Sequence, residues 1–265
     1  MSPQRLSRRG PDGSGHPVTL PPLRGVHILR KDPLHRTPGC WYIEGSRMMR
    51  NLDQRTVESM ARQSAMATYE AGAVLHRAGE PMSAVTFINI GRVKVYRTSR
   101  DGKSQTIALL GPGDAFGEIG IVDASAQDLT VEALDKTVVC RTTRAAFLGV
   151  CSRDPALAIR LAQAMREKLQ DARERIADFA FRDIQGRVAH LILTFLERER
   201  RLVGRDDLDR VVPGLTHREL ADIIGTRRES VTLALNTLER DGTIRVEDHE
   251  IVVVDLAALR TTAEA

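Results

Sequence analysis

At 265 residues, and roughly 150 residues per domain, the chain is long enough for two units that each bury a core. Its 42% apolar and 28% charged residues suit a water-soluble globular protein, and no apolar run approaches the roughly 20 residues that span a bilayer, so a membrane protein is excluded. The net charge of +4 is unevenly spread: residues 1–47 hold eight Lys/Arg against three Asp/Glu, an excess of five that leaves the remainder at −1, so bulk charge does not argue for a polyanionic partner.

Residues 1–47 are rich in Pro, Gly and Arg without a sustained period, and are expected to form a disordered basic extension. It is either an arm toward DNA phosphates or a product of start-site choice ahead of Met48 or Met49. No continuous apolar stretch follows its arginines, so it is not a secretory signal. From Leu52 to Met66, Val57, Met60, Ala61 and Ser64 recur at helical spacing and predict a short amphipathic helix. From Thr68 to Thr143, short runs of Val, Ile, Phe and Tyr alternate with turn residues about every ten positions, as at Ala71-Gly72, Ile90-Gly91 and Gly111-Pro112-Gly113-Asp114. That pattern predicts an antiparallel roll, sandwich or barrel, with Arg100 to Lys103 as a hairpin turn. His76 and Glu80 read as surface residues beside a turn, and the aspartates form no paired-carboxylate arrangement.

The three cysteines, Cys40, Cys140 and Cys151, supply neither a C-x-x-C pair nor an even disulfide set, which points to a reducing cytoplasm. Cys140 lies in the apolar run TVVC and reads as a core residue; Cys151 reads as core or as a minor redox handle.

Pro155 to Asp178 turns to Ala, Leu, Arg, Glu, Lys and Gln, a single long helix. Along it Ala158, Ala162, Met165, Leu169, Ala172, Ile176 and Phe179 recur at alternating steps of four and three, an a/d seam that predicts a parallel homodimer instead of a stripe packed on the same chain. Phe181 to Arg200 predicts a second amphipathic helix with Val188, Leu191, Ile192 and Phe195 inward, Asp183 as its cap and residues 179–183 as a hinge.

Leu215 to Ile244 reads as a helix-turn-helix. Thr216 with Glu219 and Thr226 with Glu229 each match the capping box, Gly225 stands at the turn, Ala221 at the close approach, and Val231, Ala234, Leu235 and Leu238 share one apolar face. The alternative is an αα-hairpin whose arginines are merely solvated. The following IRVEDHEIVVVD adds two β-prone runs around Glu247 to Glu250, as a wing requires. Local placement of Arg218, Arg227 and Arg228 at helix starts therefore points to double-stranded DNA, and a two-fold dimer to an inverted repeat with half-sites about one turn apart. No nucleophile–base pair, metal-ligand cluster or P-loop is visible, so no enzymatic activity is expected.

This ordered set, with FGEIG at 116–120 and TRRESV at 226–231, resembles the cyclic-AMP receptor protein and FNR (Crp-Fnr) superfamily of bacterial transcription regulators over residues 50–260 or so. The resemblance implies an α+β fold: a cyclic-nucleotide-binding-type β-roll over 48–153, a dimerisation helix over 154–180 and a winged helix-turn-helix over 181–265. It also implies a homodimer under effector control, an RNA polymerase partner, and base reading through the helix 226–240. Arg228 and Glu229 match the family's base-reading pair, suited to guanine O6/N7 and cytosine N4, with Thr232 one turn on. Leu233 replaces a second base-reading arginine and suits a thymine methyl, while Thr216, His217, Arg218, Thr226 and Arg227 match phosphate-contacting positions.

The sensor departs from the family. Gln127 and Asp128 stand where an Arg-Ser pair holds the cyclic phosphate, and Ala172 and Arg173 where a Thr-Ser pair meets adenine; Gly117 and Glu118 remain, Glu118 for a ribose hydroxyl. No cofactor is expected, cyclic AMP is not expected to bind tightly, and one cysteine in the N-terminal portion rules out a four-cysteine iron-sulfur cluster. The chain is thus expected to be a homodimeric regulator that is either controlled by an unknown effector or constitutively active. The rival reading is a small-molecule-binding module whose C-terminal domain mediates protein contacts.

Overall fold

The computed structural model describes residues 46, 48–49, 53–123, 127–203, 205–211, 215–247 and 250–264. Apart from Ser46, the expected basic extension lies outside them. In chain order the first half comprises α1 (Gln54–Arg62), β1 (Ser64–Tyr69), β2 (Val74–His76), β3 (Ala84–Ile90), β4 (Val93–Thr98), β5 (Ser104–Leu110), β6 (Ala115–Phe116), α2 (Ile119–Val122), β7 (Thr130–Ala133), β8 (Thr137–Thr143) and α3 (Arg144–Cys151). Then follow α4 (Pro155–Phe181), α5 (Ile184–Val203), β9 (Arg210–Val211), α6 (His217–Ile224), α7 (Arg228–Arg240), β10 (Ile244–Glu247), β11 (Glu250–Val253) and α8 (Leu256–Glu264).

Two antiparallel four-stranded sheets make the roll, in the orders β1-β8-β3-β6 and β2-β7-β4-β5. The β4–β5 hairpin turns where expected, with Gly102 at φ +77° and Ser99 N–H bonded to Lys103 O at 2.8 Å. Side-chain alternation along β3 and β8 divides the apolar residues between two cores. Val85, Phe87 and Cys140 join Met60, Phe147 and Leu157 under the helices, whereas Ile88 and Val139 join Tyr69, Phe116 and Val131 between the sheets. Cys140 is fully buried, and that burial pushes its thiol up to about 11, so it is the inert core residue expected.

Two expectations in this half are corrected. The first helix ends at Arg62, not near Met66, and Ser64 opens β1, where it pairs with Thr142. The chain gains a full edge of strand pairing with β8 there, which outweighs one more helical turn. His76 is buried at 9% exposure, because β2 lies against β7 and turns the imidazole inward; only Glu80 of that pair is a surface residue.

Asp154 caps α4 by accepting from Ala156 N at 3.1 Å, with Pro155 opening the helix where its missing N–H costs nothing. Of the 27 residues of α4 only Leu157 is buried. The chain breaks at Arg182, whose backbone is extended, and Asp183 then accepts from Gly186 N at 2.7 Å at the start of α5, as expected for a cap. The third core gathers Val188, Ile192 and Leu196 of α5 with Leu220, Ile224, Val231, Leu235 and Leu238. It is closed by the sheet β10-β11-β9 and by α8 through Leu259 and Ala263. No helix among the described residues is long and apolar enough to cross a membrane.

Candidate nucleic-acid interface

The reciprocal capping box at the start of α6 is formed: Thr216 Oγ1 accepts from Glu219 N at 3.2 Å while Thr216 N–H donates to Glu219 Oε2 at 2.8 Å. Gly225, at φ +66°, reverses the chain, and a Cβ there would lie 2.6 Å from the Phe179 ring, so both conformation and space require glycine. The second expected capping box is not formed. Thr226 N–H donates back to Ala221 O at 3.0 Å, so Thr226 completes the end of α6, and Arg227 becomes the N-cap of α7 without a side-chain bond. The first-turn N–H groups of α7 are consequently left without a side-chain cap.

The buried stripe of α7 is Val231, Ala234, Leu235 and Leu238. Its opposite side presents Arg228, Glu229, Thr232, Leu233 and Asn236 along one shallow open groove. Arg227, Arg228 and Glu229 are exposed, Thr232 is half-buried, and Leu233 is 69% exposed. Asn236 was missed by sequence reasoning, although its position eight residues after Arg228 and four after Thr232 puts it on the same face. Thr216 and Arg218 are exposed at the start of α6, where Arg218 lies 3.8 Å from Asp222. His217 turns its Nδ1 to Thr232 Oγ1 at 2.8 Å, joining the two helices.

In the roll, Gly117 has φ +89° and sits against Ala84 O, 2.2 Å from where a Cβ would be. Glu118 is 3% exposed; Lys168 of α4 donates to its Oε1 at 2.6 Å and to Ala115 O at 2.9 Å, while Oε2 has no partner. Gln127 N–H donates to Glu80 O at 3.3 Å, and Asp128 pairs with Arg97 of β4 at 3.0 Å. Ala172 and Arg173 are exposed on α4; the residue of that helix brought to Glu118 is Lys168, one turn earlier, which the sequence reading did not single out. Among the described residues no group of three or more His, Cys, Asp or Glu is placed to hold a metal ion.

The roll over residues 66–154 matches the cyclic nucleotide-binding domain model, and residues 186–262 match the Crp-like helix-turn-helix domain model. The chain belongs to the Crp/Fnr family of transcription regulators. This is a family of DNA-binding regulators and not of enzymes. The Cyclic AMP receptor protein of Thermus thermophilus is 27% identical over 221 residues, covering 83% of this chain and 98% of the relative. The CRP-like cAMP-activated global transcriptional regulator of Mycobacterium tuberculosis is 26% identical over 216 residues, 82% of this chain and 96% of the relative. The structure of FixK2 from Bradyrhizobium japonicum superposes with a TM-score of 0.68 at 22% identity, over 76% of this chain and 98% of that one, a likeness of fold.

In this Crp/Fnr regulator the helix-turn-helix is docked on the roll. Gln105 of β5 donates to the carbonyls of Asp222 at 2.7 Å and Ile223 at 3.2 Å, the free C-terminal carbonyls of α6. Arg198 of α5 donates to Leu109 O at 2.9 Å and to Asp114 Oδ2 at 2.6 Å, and Arg175 of α4 to Thr106 O at 2.9 Å. Arg187 donates to Ile224 O at 3.0 Å and lies over the Phe179 ring. The turn at Gly225 is thereby held between the long helix and the β4–β5 hairpin.

Proposed function

We propose that this regulator is a homodimer that reads an inverted-repeat DNA site through α7, with Arg228, Glu229, Thr232 and Leu233 facing base edges. Thr216, His217, Arg218, Thr226 and Arg227 flank them at the phosphates. The observation that carries the proposal is the division of α7 into a fully buried stripe and an outward row that begins Arg-Glu at its N-terminal turn. Arginine bonds guanine bidentately, glutamate accepts from cytosine N4, and the uncapped first turn of α7 suits a phosphate oxygen. Asn236 extends the row with an amide that suits adenine N6/N7.

Dimerisation through α4 is part of the reading. Leu169 and Ile176 of the seam are 53% and 69% exposed, and Phe179 is 46% exposed, a row of apolar surface that a second copy would cover. The division at about residues 154 and 181 follows from the same reading, supported by the separate cores of roll and reader. A cytoplasmic location and an RNA polymerase partner accompany it by family resemblance.

The sensor pocket does not suit cyclic AMP, although two relatives carry that ligand in their names. Asp128 puts an anion, paired with Arg97, where the family holds the cyclic phosphate. Glu118 Oε2 is a buried acceptor that suits a hydroxyl donor, so the residues present favour a hydroxyl-bearing effector without a phosphate, or no effector. Calorimetric titration with cyclic AMP tests this, and micromolar or tighter affinity overturns it.

Selection from a random DNA pool, followed by binding to single-base variants of the enriched site, tests the whole reading. Arg228→Ala should relax specificity at one base pair of each half-site at a cost of roughly 1–3 kcal/mol, whereas Arg227→Ala should weaken all sequences alike and flatten the salt dependence. Unchanged affinity and selectivity in Arg228→Ala would remove α7 as the reader.

A further inference from the structure

We infer that the reading face of α7 recognises the 5-methyl group of a thymine, through the Leu233 side chain with the methyl of Thr232 beside it. The inference rests on the proposal that α7 reads bases, and it names what the non-ionic half of that face reads. Leu233 is 69% exposed while Val231, Ala234, Leu235 and Leu238 around it on the helix are buried, so the fold has no use for its apolar surface. It stands in the same groove as Arg228 and Glu229, one turn further along. An exposed leucine gains free energy only against an apolar partner, and the apolar group that base edges present in the major groove is the thymine methyl.

Thr232 adds to this because its hydroxyl is already committed. Oγ1 donates to Arg228 O at 3.1 Å and takes the second bond with His217 Nδ1 at 2.8 Å. A threonine hydroxyl has one proton, and here it is spent on the helix backbone, so His217 donates from Nδ1. Thr232 is left with no proton for a base acceptor. What it offers the groove is its methyl, held by bonds from two sides, beside one remaining lone pair that can accept but not donate. His217 acts here as a positioning residue that joins α6 to the reading row.

The test uses the full-length protein and a site enriched from a random pool, with each deoxythymidine replaced in turn by deoxyuridine, which deletes the methyl and leaves the hydrogen-bonding edge intact. At one thymine or more per half-site the replacement should weaken binding roughly fourfold, the worth of one buried methyl group. Leu233→Ala should discriminate less between the two versions there. Thr232→Val, which keeps the methyl and loses the hydroxyl, should discriminate as the parent does, and Thr232→Ser, which does the opposite, should discriminate less. An enriched, Arg228-sensitive site that binds equally well with deoxyuridine at every position overturns this inference and leaves the base-reading proposal standing. Discrimination that is undiminished in Leu233→Ala, or that follows the hydroxyl instead of the methyl, also overturns it. Failure to enrich any site overturns both.

Discussion

Lys168 Nζ lies 2.6 Å from Glu118 Oε1, so the long helix α4 carries the cation that neutralises a carboxylate buried to 3% exposure in the roll. The lysine side chain is 40% exposed, so the pair is screened on one side only. Removing Lys168 leaves the carboxylate buried and unneutralised. Lys168→Met should therefore cost about 1–3 kcal/mol, less than the 3–5 kcal/mol typical of breaking a fully buried pair. The double variant Lys168→Met/Glu118→Gln should recover part of that loss, because the buried charge is gone. Urea denaturation of the four proteins of the cycle measures the coupling, and additive losses would show that the contact contributes no coupling.

The contacts of Gln105, Arg198 and Arg175 should make roll and reader unfold together. Gln105→Ala/Arg198→Ala removes the donors to the α6 carbonyls and the half-buried link to Asp114, and its calorimetric transition should split in two while the parent gives one. Gly225→Ala attacks the same junction differently. A left-handed backbone conformation costs a non-glycine residue about 1–2 kcal/mol, and the Phe179 ring 2.6 Å from the new Cβ must also move. The single transition of the coupled protein should therefore fall by several degrees in Gly225→Ala. A single transition in the double variant would show that the coupling runs elsewhere.

The order of elements was legible because local chemistry announces each one. Glycines at positive φ mark the roll turns at Gly91 and Gly102, Thr216 with Glu219 marks the start of α6, and Val231, Ala234, Leu235 and Leu238 mark the inner face of α7. What the chain order conceals is pairing at a distance. Lys168 meets Glu118 across 50 residues and Gln105 meets Asp222 across 117, and nothing local to either partner signals the other. His76 was misjudged because a turn nearby suggests exposure, whereas its strand lies against β7. The cap of α7 was misplaced by one residue because Thr226 has two uses, and its N–H is drawn to Ala221 O by the left-handed turn at Gly225. Asn236 was overlooked since it lies past the first two turns of α7, although its spacing alone places it in the groove.

If the seam on α4 is covered by a second copy, a charge placed on it should separate the copies. Leu169→Asp and Ile176→Asp introduce carboxylates at positions that are exposed in the single chain, so each variant should fold with near-parental stability. Each buried leucine or isoleucine is worth roughly 1.5–3 kcal/mol, and the seam meets itself, so dimerisation should weaken by about 100-fold or more. Sedimentation velocity across a concentration series reads this directly, and affinity for the inverted repeat should fall with it while affinity for a single half-site does not. Dimers that persist in both variants would place the interface off this seam.

His76 should make the protein's stability depend on mildly acidic pH. Burial holds its imidazole below the ordinary value of 6.5; Glu80 opposes the shift and Arg141 adds to it in smaller measure. The folded state therefore resists a proton that the unfolded chain accepts near pH 6.5. Above that pH both states are neutral at this position and it contributes nothing. As pH falls through 6.5 the unfolded state is favoured, and stability is lost progressively until the folded ring itself takes the proton. Melting temperature measured from about pH 7.5 to 5 should fall toward acid. The fall should be shallower in His76→Gln, whatever the absolute stability of that variant. Equal slopes in the parent and in His76→Gln would assign the acid sensitivity to other groups.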